Sequence, residues 1–427
     1  MGIGLTEEAT VIEYRPRIAD GELAERMESA GAVLIEGPKA CGKTATASRR
    51  ASTVFRMDTD DSARDLVDTA PELLLGAAQP VLFDEWQVAP KLWNLVRRQV
   101  DDLGGEPGRF LLTGSATPRD DATRHSGAGR YSILRMRPMS LFETGISTGA
   151  VSLAGLFDGD FTPSMAPNVT VPNLVDCIVT GGWPALLDVP VRVAQRWVVD
   201  YLSSLVEVDL PQMGVRRDPA TLRRFLASLA RGTGTELSTQ AIATDVAGPD
   251  RTLDRDTAAG YLDILARLMV TEDVPAWAPH MRSATPLRKS AARFMVDPSL
   301  AVAALGVGPE QLLRDLNATG FLFESLVLRD LRVYSQPLRG RLARWRDNNI
   351  HEVDIIITLD DGRWGALEVK MNPAAADGAA ASLLRFKDKV DLDKVGEPAF
   401  LGVVTTRTAA VRRQDGVHIL PIAALGP

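Results

Sequence analysis

The chain of 427 residues contains only two cysteines, Cys41 and Cys177. They lie far apart and have no His or Cys companion at metal-ligand spacing, which excludes a disulfide framework and favours a reducing compartment. No apolar run approaches the ~18 residues that a membrane-spanning helix needs. The first residues show no basic region followed by an apolar run, so no secretory signal is expected. These absences predict a cytoplasmic protein without a membrane partner.

An excess of basic charge is also missing, because 55 Asp and Glu residues outweigh 48 Lys and Arg residues and the net charge is −7. Any binding of nucleic acid must therefore come from a local basic patch. The composition, 45% hydrophobic and 24% charged, is typical of a soluble globular protein. The length exceeds what one core usually supports, which predicts two or three domains.

The most specific motif is an eight-residue phosphate loop that satisfies G-x-x-x-x-G-K-[ST]: Gly37, Pro38, Lys39, Ala40, Cys41, Gly42, Lys43 and Thr44. An apolar strand precedes it and a helix follows, which is the context this motif requires. Its glycines let backbone amides curl around phosphates, and Lys43 reaches the β and γ oxygens. The hydroxyl of Thr44 holds Mg²⁺. We expect this loop to bind ATP with magnesium.

A second buried strand, Val81-Leu82-Phe83, ends in two carboxylates. Asp84 is expected to bind magnesium through water, and Glu85 to orient and deprotonate the attacking water. A third strand ends at Thr113 and Ser115, whose hydroxyls are candidates to contact the γ-phosphate. A purely structural role for these hydroxyls in a turn is equally compatible with the sequence.

Arg130 follows Gly127-Ala128-Gly129 and is a candidate arginine finger, a side chain that stabilises charge on the transferring phosphoryl group. It would act within the chain or across the interface of a homo-oligomer. Three further arginines compete for this role: Arg124, Arg135 and Arg137.

From residue 145 to residue 168 the sequence loosens into Gly, Ser, Pro and Asp, which predicts a linker. Helical periodicity follows, first in a helix that Pro211 is expected to end. The later order of helix, turn, helix and hairpin predicts a winged helix-turn-helix. Its recognition helix would present Arg255, Thr257 and Arg267 to DNA. A winged helix that only packs domains together is the alternative.

These segments together resemble a large prokaryotic family of uncharacterised AAA-type ATPases. The resemblance rests on the phosphate loop, on Phe83-Asp84-Glu85, on residues 109–115, 129–130 and 137–143, and on Gly181-Gly182-Trp183-Pro184. It implies an AAA-like ATPase, a winged helix and a C-terminal domain of unknown function (4143) that is similar to PD-(D/E)xK nucleases. Lys39 stands where the family usually has Arg, and Trp86 where it has a smaller apolar residue.

The C-terminal region contains two apolar strands around Asp360-Asp361-Gly362, a three-residue hairpin loop. Pairing outward from Asp361 sets Asp354 opposite Glu368, with β-carbons roughly 5 Å apart. Lys370 lies on the same face as Glu368. Two such carboxylates repel unless a divalent cation neutralises them, and hard oxygen ligands suit Mg²⁺. Lys370 beside them would serve metal-assisted phosphodiester cleavage.

Glu324, on an apolar helix, fits the additional helical acid of this nuclease class. The alternative is a salt-bridged strand pair in a fold that binds without cleaving. Local basic clusters lie near both nucleic-acid-type modules: Arg282, Arg288 and Lys289, and also Arg339, Arg341, Arg344 and Arg346.

The sequence therefore predicts an α/β chain in three parts. Residues 1–145 form an AAA-like P-loop ATPase with a parallel sheet, residues 146–308 a helical linker and winged helix, and residues 309–427 a restriction-endonuclease-like α/β domain. The predicted function is ATP hydrolysis coupled to action on DNA. The alternative is a nucleotide-controlled switch or scaffold whose nuclease fold is inactive.

Overall fold

The computed structural model describes residues 14–115, 127–214, 218–247, 253–279, 291–347 and 351–427. Its N-terminal part alternates strands and helices: α1 (Ala19–Ser29), β1 (Ala32–Glu36), α2 (Lys43–Ser48), β2 (Thr53–Arg56), α3 (Asp61–Thr69), α4 (Pro71–Leu75), β3 (Val81–Asp84), α5 (Lys91–Asp102), β4 (Phe110–Gly114) and β5 (Tyr131–Arg135). The strands form one parallel sheet in the order β2-β3-β4-β1-β5. The predicted parallel α/β sheet is confirmed.

The central strands β1, β3 and β4 are buried along nearly their whole length, because helices cover both faces of the sheet. This burial explains why they are nearly continuous apolar runs rather than alternating ones. The edge strands β2 and β5 are only half-buried. Since all carboxyl ends meet at one edge, the loops after β1, β3 and β4 come together there.

The middle of the chain is mainly helical: β6 (Val151–Ser152), α6 (Leu153–Asp158), β7 (Ser164–Met165), α7 (Val171–Thr180), α8 (Val191–Ser204), α9 (Leu210–Gln212), α10 (Pro219–Arg231), α11 (Thr239–Ala247), α12 (Arg255–Arg267) and α13 (Pro298–Leu305). After α12, antiparallel bridges join Thr271 to Met295 and Val274 to Ala292. This is the expected order of helices followed by a hairpin. The predicted wing residues, Arg282, Arg288 and Lys289, lie outside the described residues. Arg124 also lies outside them.

One local expectation is wrong, and one is confirmed. The predicted linker is not irregular, because β6 pairs with a strand near the C-terminus, Val151 opposite Leu425. The helical run from Val191 ends at Gln212, one residue after Pro211, and it reaches that end through a π-helical segment, Leu205–Asp209. Proline lacks an N–H, and the wide turn before Pro211 shifts the hydrogen-bond pattern so that this missing donor is tolerated.

The C-terminal part contains α14 (Pro309–Arg314), α15 (Leu316–Ser335), β8 (Arg341–Arg346), β9 (Glu352–Thr358), β10 (Trp364–Lys370), α16 (Ala376–Lys387), α17 (Leu392–Val395), β11 (Phe400–Thr405), β12 (Ala409–Arg412), β13 (His418–Pro421) and β14 (Leu425–Gly426). A mixed sheet has the order β7-β12-β13-β11-β10-β9-β8. The antiparallel β9–β10 ladder pairs Trp364 with Thr358 and Leu367 with Ile355. This is the predicted register, and one further step sets Asp354 opposite Glu368.

Buried ion pairs connect the three parts. Arg137, which follows β5, binds Glu272 in the middle region at 2.6 Å, and Arg332 of α15 contacts the same carboxylate at 3.4 Å. Burial by itself raises the pKa of Glu272, but the two arginines lower it to well below its usual range. The carboxylate is therefore charged and fully paired, as a buried charge requires. Among the described residues, no helix is long and apolar enough to cross a membrane.

Candidate active sites

The loop between β1 and α2 has a backbone that only small residues allow. Gly42 has a φ of 103° and Ala40 a φ of 61°, both left-handed. A Cβ on Gly37 would lie 2.4 Å from the carbonyl oxygen of Met136, so no side chain fits there. These constraints curl the loop at the carboxyl edge of the sheet and turn it into the N-terminus of α2, which favours an anion.

Lys43 lies across this loop and is 4% exposed. Its Nζ donates hydrogen bonds to the carbonyl oxygens of Gly37 at 3.0 Å and Pro38 at 2.9 Å. No carboxylate in the described part of the chain forms an ion pair with it. Neutral carbonyls give this ammonium no counter-ion, so it can form a charge-assisted contact with an anionic ligand.

The residues expected to manage magnesium and water come together beside Lys43. Thr44 Oγ1 donates to Asp84 Oδ1 at 2.7 Å, and Thr113 Oγ1 donates to the same oxygen. Ser115 Oγ donates to Glu85 Oε2 at 3.1 Å. A hydroxyl and a carboxylate at the end of a phosphate loop are the hard donors that Mg²⁺ prefers. Thr44 and Asp84 thus fit a magnesium ion.

Two expected nucleotide residues point elsewhere. Lys39 Nζ binds Asp209 Oδ1 of the π-helical segment at 2.5 Å, so its side chain links the loop to the helical region. Arg130 precedes β5, and its carbonyl accepts a hydrogen bond from Ala32 at the start of β1. The phosphate loop follows the other end of β1, about 15 Å away. Arg130 forms an ion pair with Asp101 at 2.7 Å and lies at the opposite end of β1 from the phosphate loop of its own chain.

A residue that the sequence analysis missed, Arg17, supports the loop from outside. It is 7% exposed. Its Nη1 donates to the carbonyl of Cys41 at 2.8 Å, and its Nε donates to Glu143 at 3.0 Å. One arginine ahead of α1 carries no motif, so no local pattern indicated this role.

A cavity of about 440 Å³ opens between the phosphate loop and the helical region. Its lining includes Lys43, Thr44 and Glu85, and also Tyr14 and Pro184. Pro184 belongs to the Gly181-Gly182-Trp183-Pro184 segment. This cavity places space for a ligand directly against the phosphate loop.

The second candidate site lies on β9 and β10. Lys370 Nζ contacts Glu368 Oε2 at 2.6 Å and Asp354 Oδ2 at 3.1 Å. The amide of Val369 donates to Asp354 at 2.8 Å. Although burial lowers the pKa of Lys370, the two carboxylates raise it above its usual range. Asp354, Glu368 and Lys370 therefore converge as the hairpin geometry predicts.

Arg344 of β8 is a further cation at this site. Its Nη2 lies 3.4 Å from Glu324 Oε1 and 3.8 Å from Asp354 Oδ1, and its Nη1 donates to the carbonyl of Gly234. The β8–β9 ladder shifts register here, so that Arg344 faces both Asp354 and Ile355. Such bulges redirect side chains, and this one brings the Arg344 guanidinium among the carboxylates.

Glu324 on α15 completes the group. Its Oε1 is buried and accepts no hydrogen bond from the described protein atoms. Burial first, and the neighbouring charge of Asp354 second, raise the pKa of both Glu324 and Glu368. Such clustered, destabilised carboxylates fit a divalent cation, which would relieve the repulsion. Within the described ranges, however, no group of three or more His, Cys, Asp or Glu side chains is already arranged as a metal site.

The residues expected to contact DNA do not form one cluster, and each has different neighbours. Asp254 caps α12 by accepting a hydrogen bond from the amide of Thr257 at 2.8 Å, and the Thr257 hydroxyl donates to the same carboxylate at 2.6 Å. Arg267 lies 4.0 Å from Asp263, whereas Arg255 is exposed at the start of the helix. The basic residues of β8 contact different partners. Arg341 contacts Asp360 at 3.5 Å, whereas Arg344 contacts Glu324 and Asp354.

Family models match three successive parts of the chain. Residues 29–145 match an AAA domain, residues 171–311 a domain of unknown function (DUF8612), and residues 319–425 a domain of unknown function (DUF4143). Two mycobacterial proteins are each 28% identical over 363 residues, which is 83% of this chain and 73% of theirs. They are uncharacterized protein Rv2008c of Mycobacterium tuberculosis and uncharacterized protein Mb2031c of Mycobacterium bovis.

Among solved structures, the Walker-type ATPase PABY2304 of Pyrococcus abyssi aligns with 69% of this chain and 99% of its own, at 14% identity and a TM-score of 0.40. The replication initiator DnaA bound to AMPPCP and single-stranded DNA aligns with 58% of this chain and 86% of its own, at 14% identity and a TM-score of 0.26. Neither similarity is close enough to inform function.

Proposed function

The chain carries an AAA domain followed by a DUF4143 domain, and we propose that the AAA domain binds ATP with Mg²⁺ and hydrolyses it. The P-loop fold implies nucleotide binding. The observation that carries the proposal is the convergence of Lys43, Thr44, Asp84 and Glu85 on one edge of the sheet, beside a cavity. In this proposal, Lys43 and the loop amides bind the phosphates.

Each acidic residue has a separate role in the proposed hydrolysis. Thr44 and Asp84 would hold the cation, which neutralises charge on the phosphates when bound. Glu85 accepts the proton of the attacking water, and Ser115, hydrogen-bonded to Glu85, orients that carboxylate. Thr113 fixes Asp84 and also accepts a hydrogen bond from the Glu85 amide at 3.3 Å. Removing Glu85, Ser115 or Thr113 is therefore expected to lower the rate of hydrolysis more than the affinity for ATP.

Calorimetry with ATP in magnesium buffer tests the binding step. The Lys43→Ala variant should bind ATP at least tenfold more weakly than wild type while keeping the same circular dichroism spectrum. Lys39→Ala is the matched control, because Lys39 belongs to the same loop but its ammonium contacts Asp209. Normal ATP binding by the Lys43→Ala variant would reject this placement of the phosphates.

We further propose that ATP turnover drives action on DNA through the winged helix of residues 146–308 and the nuclease-like domain of residues 309–427. Support comes from the order of helices and paired segments around α12 and from the cluster of Asp354, Glu368 and Lys370. DNA should raise the ATPase rate. A magnesium-dependent nicking assay that compares wild type with Asp354→Ala tests cleavage. Equal nicking by the two proteins would reject cleavage at this cluster.

A second candidate, a nucleotide-controlled switch that binds DNA without cutting it, has one specific observation in its favour. Arg344 and Lys370 already lie among the three carboxylates and partly neutralise them without a metal. A switch predicts that ATP changes the assembly or DNA affinity of the protein, whereas Glu368→Gln leaves both unchanged. The nicking assay separates the two candidates.

A further inference from the structure

An open groove of about 730 Å³ runs beside the β9–β10 carboxylates and is lined by the face of α16. Glu368 and Lys370 form part of one wall. Residues of α16 also line the groove, together with His351 and Lys389. It therefore leads from solvent directly to the second candidate site.

The helical wall changes character along its length. It presents Gly378, Ser382 and Arg385, which lie one or two turns apart on the same face of α16. A glycine inside a helix costs roughly 1 kcal/mol relative to alanine. A Cβ on Gly378 would meet nothing within 4 Å, so packing does not require this glycine. Its effect is to keep the groove clear.

Both cations of the groove are exposed, but only one is held in place. Arg385 is exposed, and its guanidinium forms no ion pair with any residue in the described ranges. Lys389 binds Asp347 at 2.6 Å, lies 3.0 Å from His351 Nδ1 and sits 5.7 Å from the centre of the Trp345 ring. These contacts fix one ammonium in the lining of the groove.

We propose that this groove binds the phosphodiester backbone of DNA and leads it past Asp354, Glu368 and Lys370, with Arg385 and Lys389 as phosphate contacts. Gly378 and Ser382 allow the strand to approach the helix closely. From Gly378 to Arg385 the helix rises about 10 Å, which equals the rise of about three base pairs along the axis of a DNA duplex. This inference rests on the proposed action on DNA and names the residues that would contact the DNA.

Fluorescence anisotropy with a fluorescein-labelled DNA duplex and with one of its strands tests the groove, in EDTA so that no cleavage occurs. Gly378→Glu adds bulk and negative charge to empty space near the N-terminal end of α16, where glutamate is a better helix former than glycine. We expect it to weaken DNA binding at least tenfold while the unfolding temperature is unchanged or higher. Arg385→Ala should weaken binding and reduce the slope of log affinity against log salt by about 1.

Arg196→Ala is the control, because it removes an exposed arginine of α8 that lies far from the groove in sequence and is 82% exposed. It should bind DNA like wild type. All variants should keep the wild-type ATPase rate in the absence of DNA. If wild type binds DNA and both groove variants bind equally well, the groove is rejected and the proposed action on DNA survives through another surface. If wild type binds neither probe, both proposals are rejected.

Discussion

At the scale of single residues, Arg17, which belongs to no motif, holds the phosphate loop in place. The guanidinium of Arg17 is shared among the carboxylate of Glu143, the carbonyl of Cys41 in the phosphate loop and the carbonyl of Arg137. Both members of the Arg17–Glu143 pair are almost fully buried. A buried pair loses much more when one partner is removed than an exposed pair does, so Arg17 is expected to affect both stability and the shape of the loop.

Arg17→Ala should lower the free energy of unfolding by about 3 kcal/mol and weaken ATP binding, because Glu143 loses its counter-ion and Cys41 its donor. Urea unfolding and calorimetry measure the two effects. For stability, the matched control is Arg15→Ala, two residues away, whose ion pair with Asp188 is exposed and is worth about 0–1 kcal/mol. Equal losses of stability in the two variants would contradict the role of Arg17.

A second residue, His418 on β13, makes stability depend on pH. Its ring stacks on Phe161 with centroids 4.5 Å apart, and neither ring nitrogen has a hydrogen-bond partner in the described part of the chain. Burial, helped by Arg412, lowers its pKa from 6.5 to about 4. Because the unfolded chain takes up the proton first, the contribution of His418 is complete above pH 6.5 and is lost as the pH falls toward 4.

His418→Leu should therefore flatten the dependence of stability on pH between about 6.5 and 4, by up to about 3 kcal/mol. The measurement is the urea midpoint of wild type and variant at several pH values. Taking the difference between the two proteins removes the contributions of other groups, such as Glu324 and Glu368, that are common to both. A difference that stays constant over this pH range would show that His418 is not the responsible group.

At the scale of secondary-structure elements, the β9–β10 hairpin shows what the sequence can predict. The three-residue loop fixes the register, and the register alone brings Asp354 to Glu368 and Lys370. The phosphate loop and the central strands are likewise local patterns. Arg344 was not predictable as a member of the site, because its position depends on an irregularity in the β8–β9 ladder.

Long-range pairing explains the other differences. Val151 pairs with Leu425 near the opposite end of the chain, and nothing in the Gly- and Pro-containing segment around Val151 specifies such a partner. The position of Arg130, in contrast, follows from topology. A residue that precedes a strand of a parallel sheet lies at the amino ends of the strands, whereas the phosphate loop lies at their carboxyl ends. The α/β pattern therefore already predicted that Arg130 is far from the phosphate loop of its own chain.

Mg²⁺ should stabilise the hairpin site of the folded protein. In a Lys43→Ala background, which weakens the nucleotide site, adding Mg²⁺ should raise the unfolding temperature because the ion relieves the repulsion among Asp354, Glu368 and Glu324. The additional Asp354→Ala substitution should abolish this rise, whereas Asp360→Ala, in the exposed hairpin loop, should not. A rise that survives Asp354→Ala would place the ion elsewhere.

At the scale of the whole molecule, ion pairs connect the nucleotide site to the other parts of the chain. Lys39 of the phosphate loop binds Asp209, and Arg137 after β5 binds Glu272. Both contacts join the AAA domain to the helical region. A displacement of Lys39 when nucleotide binds would therefore act directly on Asp209 of that region.

Arg130 lies at the far edge of its own sheet, so any role in hydrolysis requires a second copy of the chain. We predict that Arg130→Ala and Glu85→Gln each lose ATPase activity, by about 10³-fold for the arginine and about 10²-fold or more for the general base. The two inactive variants should regain activity when mixed, because the Glu85→Gln copy donates its arginine to the intact site of the Arg130→Ala copy. Arg109→Ala, which changes another half-buried arginine of the same domain, should stay active. Full activity of Arg130→Ala alone, or a mixture as inactive as its components, would rule out an arginine shared between copies.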